Sequence, residues 1–143
     1  MRRANDAWEA LMSAHAVLMK QFAAEDIWHP VSMREYDVLY TLSKCPEPLR
    51  MSELNRHVLL SQPALSRMVD RLVERGFVER CADPFDGRGV RLSLTGVGLD
   101  TQRQIGRRHA RSVARAVTAR LNAEELRQLE TICWKLADEE SRI

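Results

Sequence analysis

Residues 60–80, LSQPALSRMVDRLVERGFVER, constrain the fold more than any other stretch of this chain. Apolar Leu65, Met68, Val69, Leu72 and Val73 recur at three and four, which gathers them on one arc of a helix. Pro63, Ser66, Arg67, Asp70, Arg71 and Glu74 take the opposite arc. Ser61 is placed to cap the helix, and Pro63 lies in the first turn, where a missing N–H breaks no intrahelical bond. Gly76 supplies the stop. Beyond it the periodicity becomes that of strands: FVERC (77–81) and VRLSL (90–94) alternate, with Val90, Leu92 and Leu94 on one side and Arg91 and Ser93 on the other. ADPFDGRG (82–89) is full of turn residues and joins them as a hairpin with a projecting loop.

The flanks read as helices. Asp6 with Glu9 looks like a variant capping box opening a first helix, with Trp8, Leu11, Met12, His15, Met19 and Phe22 on one face. Pro30 breaks it; Ser32 and Glu35 restart the pattern, and Tyr36, Leu39, Tyr40 and Leu42 take the inner side until Pro46 and Pro48 end it. Ser52 is expected to cap a short helix over 52–60, with Leu54, Val58 and Leu59 apolar; barely two turns long, it must pack on a neighbour. After the hairpin, Thr95 caps a long helix whose stripe runs Leu99, Ile105 or Gly106, Ala110, Val113 or Ala114, Val117 and Leu121. Asn122 and Glu125 open a last helix with Leu126, Leu129, Ile132, Cys133 and Leu136 inward. The expected class is mainly α with a small β-hairpin (α+β): three helices, a fourth close behind the third, the hairpin, then two helices.

A length of 143 residues suits a single domain, and a formal net charge of +2 is too small to announce a polyanion partner by itself, so the placement of charge must decide. Arg2 and Arg3 are followed by Asp6 and Glu9 where a secretory signal needs an apolar core, and no stretch approaches the roughly 18 apolar residues of a membrane span. The expectation is a cytoplasmic chain with no membrane partner. Cys45, Cys81 and Cys133 are odd in number and far apart, which suggests neither a disulfide framework nor a zinc ribbon. His15, His29, His57 and His109 are isolated, and the nucleophile-elbow, zinc-protease and phosphate-loop motifs are absent. GVGLDT (96–101) has Thr101 where a dinucleotide loop needs its third glycine, and it reads as a helix start. No catalytic residue, metal site or cofactor is expected.

A short helix, a turn and a second amphipathic helix form the helix-turn-helix plan, which delivers the second helix's N-terminal half into a DNA major groove. Small residues at its start let the backbone approach the base edges. Gln62 can pair with adenine, Arg67 with guanine and Ser66 with either, while Pro63 can touch a thymine methyl. Ser61 marks a helix start whose free N–H groups suit a phosphate, and Arg71 continues the outer arc. An antiparallel helix pair with solvated charges would share this pattern. The hairpin favours DNA: Arg88 stands at its tip between Gly87 and Gly89, sized for a minor groove, with Asp86 in reach of its guanidinium.

The stretches MSELNRHVLLSQPALSRMVDRLVERGFVER and DPFDGRGVRLSLT, with the flanking helices, resemble the MarR family of winged-helix transcriptional regulators across nearly the whole chain. The more specific marks are the D-x-R of Asp86 and Arg88, the following SLT, and the R-x-x-D-x-L from Arg67 to Leu72. Gly87 departs from the family, which commonly carries a second arginine there. The resemblance implies a winged helix-turn-helix over 32–94 and a helical dimerisation region over 1–31 and 95–143. It also implies a homodimer on a pseudo-palindromic operator, usually a repressor, often relieved by a small ligand or an oxidant. Physical need agrees: one recognition helix reads few base pairs, and two copies roughly 34–36 Å apart double the readout.

Six arginines (103, 107, 108, 111, 115 and 120) face a single acid, Asp100, within 96–121, whereas 122–143 carries acids at 124, 125, 130, 138, 139 and 140. The arginine strip could serve as a second phosphate-binding surface, but the favoured expectation is that the last two helices lie against each other with opposite charges and the rest is solvated. Trp8, His15, Met19, Trp28, Tyr36 and Tyr40 can line a pocket for a flat phenolic or carboxylate effector between the dimer helices and the DNA-binding lobe, although any one of them also serves as core. Two alternatives stand beside this reading. One is redox sensing through a cysteine, best at Cys81 beside Arg80, although the family's hydroperoxide sensors carry theirs near the N-terminus, where this chain has none. The other is a winged helix used only for protein contacts.

Overall fold

Leu65, Met68, Val69 and Leu72 are all buried, so the apolar arc of 61–75 closes the core as its spacing demands. The computed structural model describes residues 1–137. In chain order its elements are α1 (Arg2–Ala23), α2 (Met33–Lys44), β1 (Leu49–Arg50), α3 (Met51–Asn55), α4 (Gln62–Glu74), β2 (Val78–Ala82), β3 (Val90–Leu94), α5 (Gly96–Thr118) and α6 (Ala123–Ala137). Val38, Leu39 and Leu42 of α2, Leu54 of α3, Phe77 and Val78, Leu92 of β3 and Ile105 of α5 complete one cluster with the α4 residues.

The expected caps form at Ser32, Ser61, Thr95 and Asn122. Ser32 and Glu35 form the reciprocal box at α2, with Ser32 N–H donating to the Glu35 carboxylate at 2.9 Å and Glu35 N–H to Ser32 Oγ at 3.2 Å. Asn122 Oδ1 accepts from the Glu124 and Glu125 N–H groups, and Thr95 Oγ1 accepts from Gly98 N–H at 3.0 Å. Gly76 takes φ +79°, a left-handed conformation that ends α4 and releases the chain into β2.

Other expectations require correction. The first helix does not start at Asp6: it begins at Arg2 with no side-chain cap, so Asp6 and Glu9 lie inside it. Ser52 is not an N-cap either. Arg50 holds that position, its N–H donating to Glu53 at 2.8 Å, and the helix stops at Asn55 rather than Leu60. Asn55 Nδ2 instead donates to Leu60 O at 2.8 Å and secures the following turn. The sheet has three strands, not two: β1 pairs antiparallel with β3 (Leu49↔Leu92), giving the order β1-β3-β2. Two residues are too few for alternation to appear in sequence. On β3 only Leu92 is fully buried, and Val90 is exposed.

The outer helices differ most. α5 buries Ile105 as expected, but beside it turns Gly98, Ser112 and Ala116 inward in place of the rest of the run from Leu99 to Leu121, because close helix approach selects small residues whatever their polarity. In α6 no residue is fully buried: of the side expected to face inward, Leu126 and Cys133 are half-buried, whereas Leu129, Ile132 and Leu136 stay exposed, Leu136 at 69%. Trp8 on α1 is likewise 62% exposed. Among the described residues no ion pair joins α5 to α6; Glu124 pairs with Arg127 of its own helix, and the acids at 138–140 lie outside the described residues.

Candidate functional site

The outward arc of α4 is held from both ends and from below. Ser61 is the N-cap, with Oγ accepting from Ala64 N–H at 3.3 Å. At the far end Phe77 N–H returns to Leu72 O at 2.9 Å. Gln62, Pro63, Arg67 and Arg71 are exposed, while Ser66 is half-buried and sits closer to the packed side than its place on the outer arc suggests. Asp70 on the same arc is taken by Arg80 of β2 in an ion pair that periodicity could not reveal.

The hairpin is braced from inside by Asp83, read from sequence only as a turn residue. Its side chain is fully buried, with Oδ2 on Arg50 Nε at 2.7 Å and on Arg91 Nε at 3.2 Å. Oδ1 accepts from Phe85 N–H at 3.0 Å, and Asp83 N–H donates to Gly89 O at 3.0 Å. One carboxylate thus ties β1, β3 and the loop together. Asp86 plays a different part from the one expected: its carboxylate accepts the backbone N–H of Arg88 at 3.1 Å, which orients the chain at the tip rather than the guanidinium. Arg88 projects exposed beside Gly87.

The Phe85 N–H, with the Arg50 and Arg91 guanidiniums, holds the Asp83 carboxyl down at about 2 against the opposing effect of burial. A carboxyl depressed on folding from 3.8 contributes stability that is complete above that value and is lost as pH falls through about 2. Asp83→Asn should therefore melt well below wild type at neutral pH, with the gap narrowing as the buffer is taken from pH 4 toward pH 2. Thermal melts of both proteins across that range check this, and a gap independent of pH would refute it.

A cleft of about 730 Å³ lies between α1, α2, the 56–60 turn, α5 and α6. Of the expected effector residues, His15, Met19, Trp28 and Tyr40 line it. Trp8 does not, standing in the open on α1. Tyr36 is buried behind the wall, its ring 5.4 Å from Trp28 and 6.0 Å from Tyr40, and Tyr40 is turned outward, 43% exposed, instead of joining the core. The cleft also gathers Lys20, Arg34, Asp37, Lys44, His57 and His109, which come from separate segments and carry no joint sequence signal. Burial raises the Asp37 carboxyl and lowers the His109 imidazole, whose Nδ1 is buried with no hydrogen-bond partner among the described residues.

The three cysteines are free and half-buried. Cys81 Sγ donates to Arg91 O at 3.5 Å, and burial pushes the Cys45 thiol up, away from the reactive thiolate. Among the described residues no group of three metal-binding side chains assembles, and no helix is long and apolar enough to cross a membrane.

Known proteins match this architecture. A MarR family profile matches residues 29–89. The multiple antibiotic resistance protein MarR of Escherichia coli K12 is 31% identical over 106 residues, covering 74% of this chain and 73% of that one. Among solved structures, Sco3205, a MarR family transcriptional regulator from Streptomyces coelicolor in complex with DNA, superposes with a TM-score of 0.80 at 27% identity, over 96% of this chain and 87% of that one. The PcaV transcriptional regulator of the same organism, in complex with its natural ligand, gives 0.67 at 29% identity over 94% and 91%. With the α4 arc, the braced hairpin and the three-stranded sheet in place, the chain belongs to the MarR family of winged-helix transcriptional regulators and is not an enzyme.

Proposed function

We propose that this regulator is a homodimer that recognises a pseudo-palindromic DNA operator, represses from it in the cytoplasm, and is released by a small aromatic acid. The observation that carries the reading is the exposed Gln62, Pro63, Arg67 and Arg71 of α4 beside a hairpin whose tip cation, among the described residues, pairs with no carboxylate. Gln62, Pro63, Ser66 and Arg67 then address base edges, Ser61 and Arg71 the phosphates, and Arg88 the minor groove, with Asp86 setting the tip backbone. Segments 1–31 and 95–143 supply the dimer interface: exposed Trp8, Met12 and Val17 on α1 and Leu129, Ile132 and Leu136 on α6 are apolar surface that a second copy would cover. In the cleft, Trp28 and Tyr40 offer aromatic faces and Lys20, Arg34 and Lys44 offer positive charge, the chemistry of a flat anion site.

Sequencing duplex fragments selected by the pure protein at physiological salt tests the central claim. Two related half-sites about one helical turn apart are expected, together with a dimeric mass by light scattering. Unselective recovery of fragments would leave a winged helix that serves protein contacts only. Titrating salicylate into the operator complex tests the effector, with loss of operator affinity expected and an unchanged affinity counting against it. An operator affinity that falls on peroxide treatment would favour the cysteine alternative instead.

A further inference from the structure

Arg75 sits at the C-cap of α4, at the end away from the expected DNA contacts. Its Nη1 bonds both carboxylate oxygens of Glu35 at 3.2 Å, Nη2 donates to the Pro30 carbonyl, and its guanidinium lies 5.0 Å over the Phe77 ring. Glu35 is itself buried and bound twice more: it receives Ser32 N–H at 2.9 Å and gives its own N–H to Ser32 Oγ. The arginine is therefore fixed against a carboxylate that cannot swing away, in a pair only partly screened by water. Among the described residues these are the polar contacts that join the end of α4 to the segment 28–35.

That segment is also a wall of the cleft. Trp28 and Arg34 line it, and Trp28 is held by its Nε1 donating to Phe22 O at 2.8 Å and by the His109 ring at 5.0 Å. We propose that Arg75 is a positioning residue that, through Glu35 and the Pro30 carbonyl, makes α4 and segment 28–35 move as one body, so that DNA seated on α4 is felt at Trp28. The inference rests on the DNA-binding reading above. Because coupling free energies are reciprocal, an occupant of the cleft that displaces the same segment retunes α4 by the same link.

The test uses full-length protein labelled with 5-fluorotryptophan, the Trp28 resonance being identified by its loss in Trp28→Phe. Adding the selected operator duplex should shift that resonance in the wild type. In Arg75→Met the shift should vanish, and the ratio of operator to scrambled-duplex affinity should drop about tenfold, the loss expected from one misaligned base contact. Glu35→Gln should behave like Arg75→Met and carries the test should that variant not fold; Arg75→Lys should restore part of both readouts. A purely structural role would lower the melting temperature, reduce both affinities by one factor, and leave the Trp28 shift intact, which overturns the proposal. So does a wild type that binds its operator selectively with Trp28 unmoved. Failure of the wild type to prefer any duplex would instead remove the DNA-binding reading, and this inference with it.

Discussion

Gly98→Ala is expected to destabilise the fold by about 3 kcal/mol or more, at or above the upper end of ordinary overpacking. A Cβ built at Gly98 falls 1.9 Å from the Phe77 carbonyl oxygen and 2.9 Å from its carbon, so backbone, not a flexible side chain, must yield. That carbonyl has other duties: it accepts from Thr95 N–H at 3.2 Å, while Thr95 Oγ1 donates to Gly76 O at 2.6 Å and accepts from Gly98 N–H. The end of α4, the entry to β2 and the start of α5 meet at this point, and any shift that relieves the clash loosens all three. Urea denaturation checks the magnitude. Gly96→Ala is the control, because a Cβ there meets nothing within 4 Å. A Gly98→Ala protein within about 0.5 kcal/mol of wild type, the range of a neutral surface change, would contradict the packing described.

Arg67→Ala should cost roughly 1–3 kcal/mol in operator binding and relax preference at particular base pairs, because an exposed arginine on α4 is the side chain best shaped for two acceptors on one guanine. Arg88→Ala should weaken operators of different sequence more evenly and flatten the dependence of log affinity on log salt by about one. The difference follows from position: one cation stands exposed on a rigid helix, the other on a loop whose backbone is braced by Asp83 and Asp86. Fluorescence anisotropy with the selected operator and single-base variants, at several salt concentrations, separates the two effects. Equal losses that ignore sequence in both variants would remove the assignment of base reading to α4 and groove anchoring to the hairpin.

How much of the site was legible depended on the range of the interaction that made it. The outer arc of α4 could be read because helical geometry repeats within a few residues, although Ser66 proved half-buried. The long-range braces were invisible: Asp83, which ties the hairpin together, lies 33 positions from Arg50, and Arg75, at the end of α4, lies 40 from Glu35. Asp83 read only as a turn residue and Glu35 only as a capping partner of Ser32. The cleft was half legible. Trp28 and Tyr40 carried an aromatic signal, whereas His109 and Asp37 became neighbours only when α5 packed across α2.

By itself the sequence determined the helical periodicities, the caps at Ser32, Ser61, Thr95 and Asn122, the stop at Gly76 and the mainly helical winged class, since caps, turns and apolar spacing act over a few residues. Only the tertiary structure decided that Leu49–Arg50 becomes a strand, that α5 turns Gly98, Ser112 and Ala116 inward, that no residue of α6 is fully buried, and that Asp83 and Glu35 become anchors. Those outcomes depend on which surfaces meet. Burial and ion pairing are properties of partners brought together across the chain, and spacing along the chain does not encode the partner.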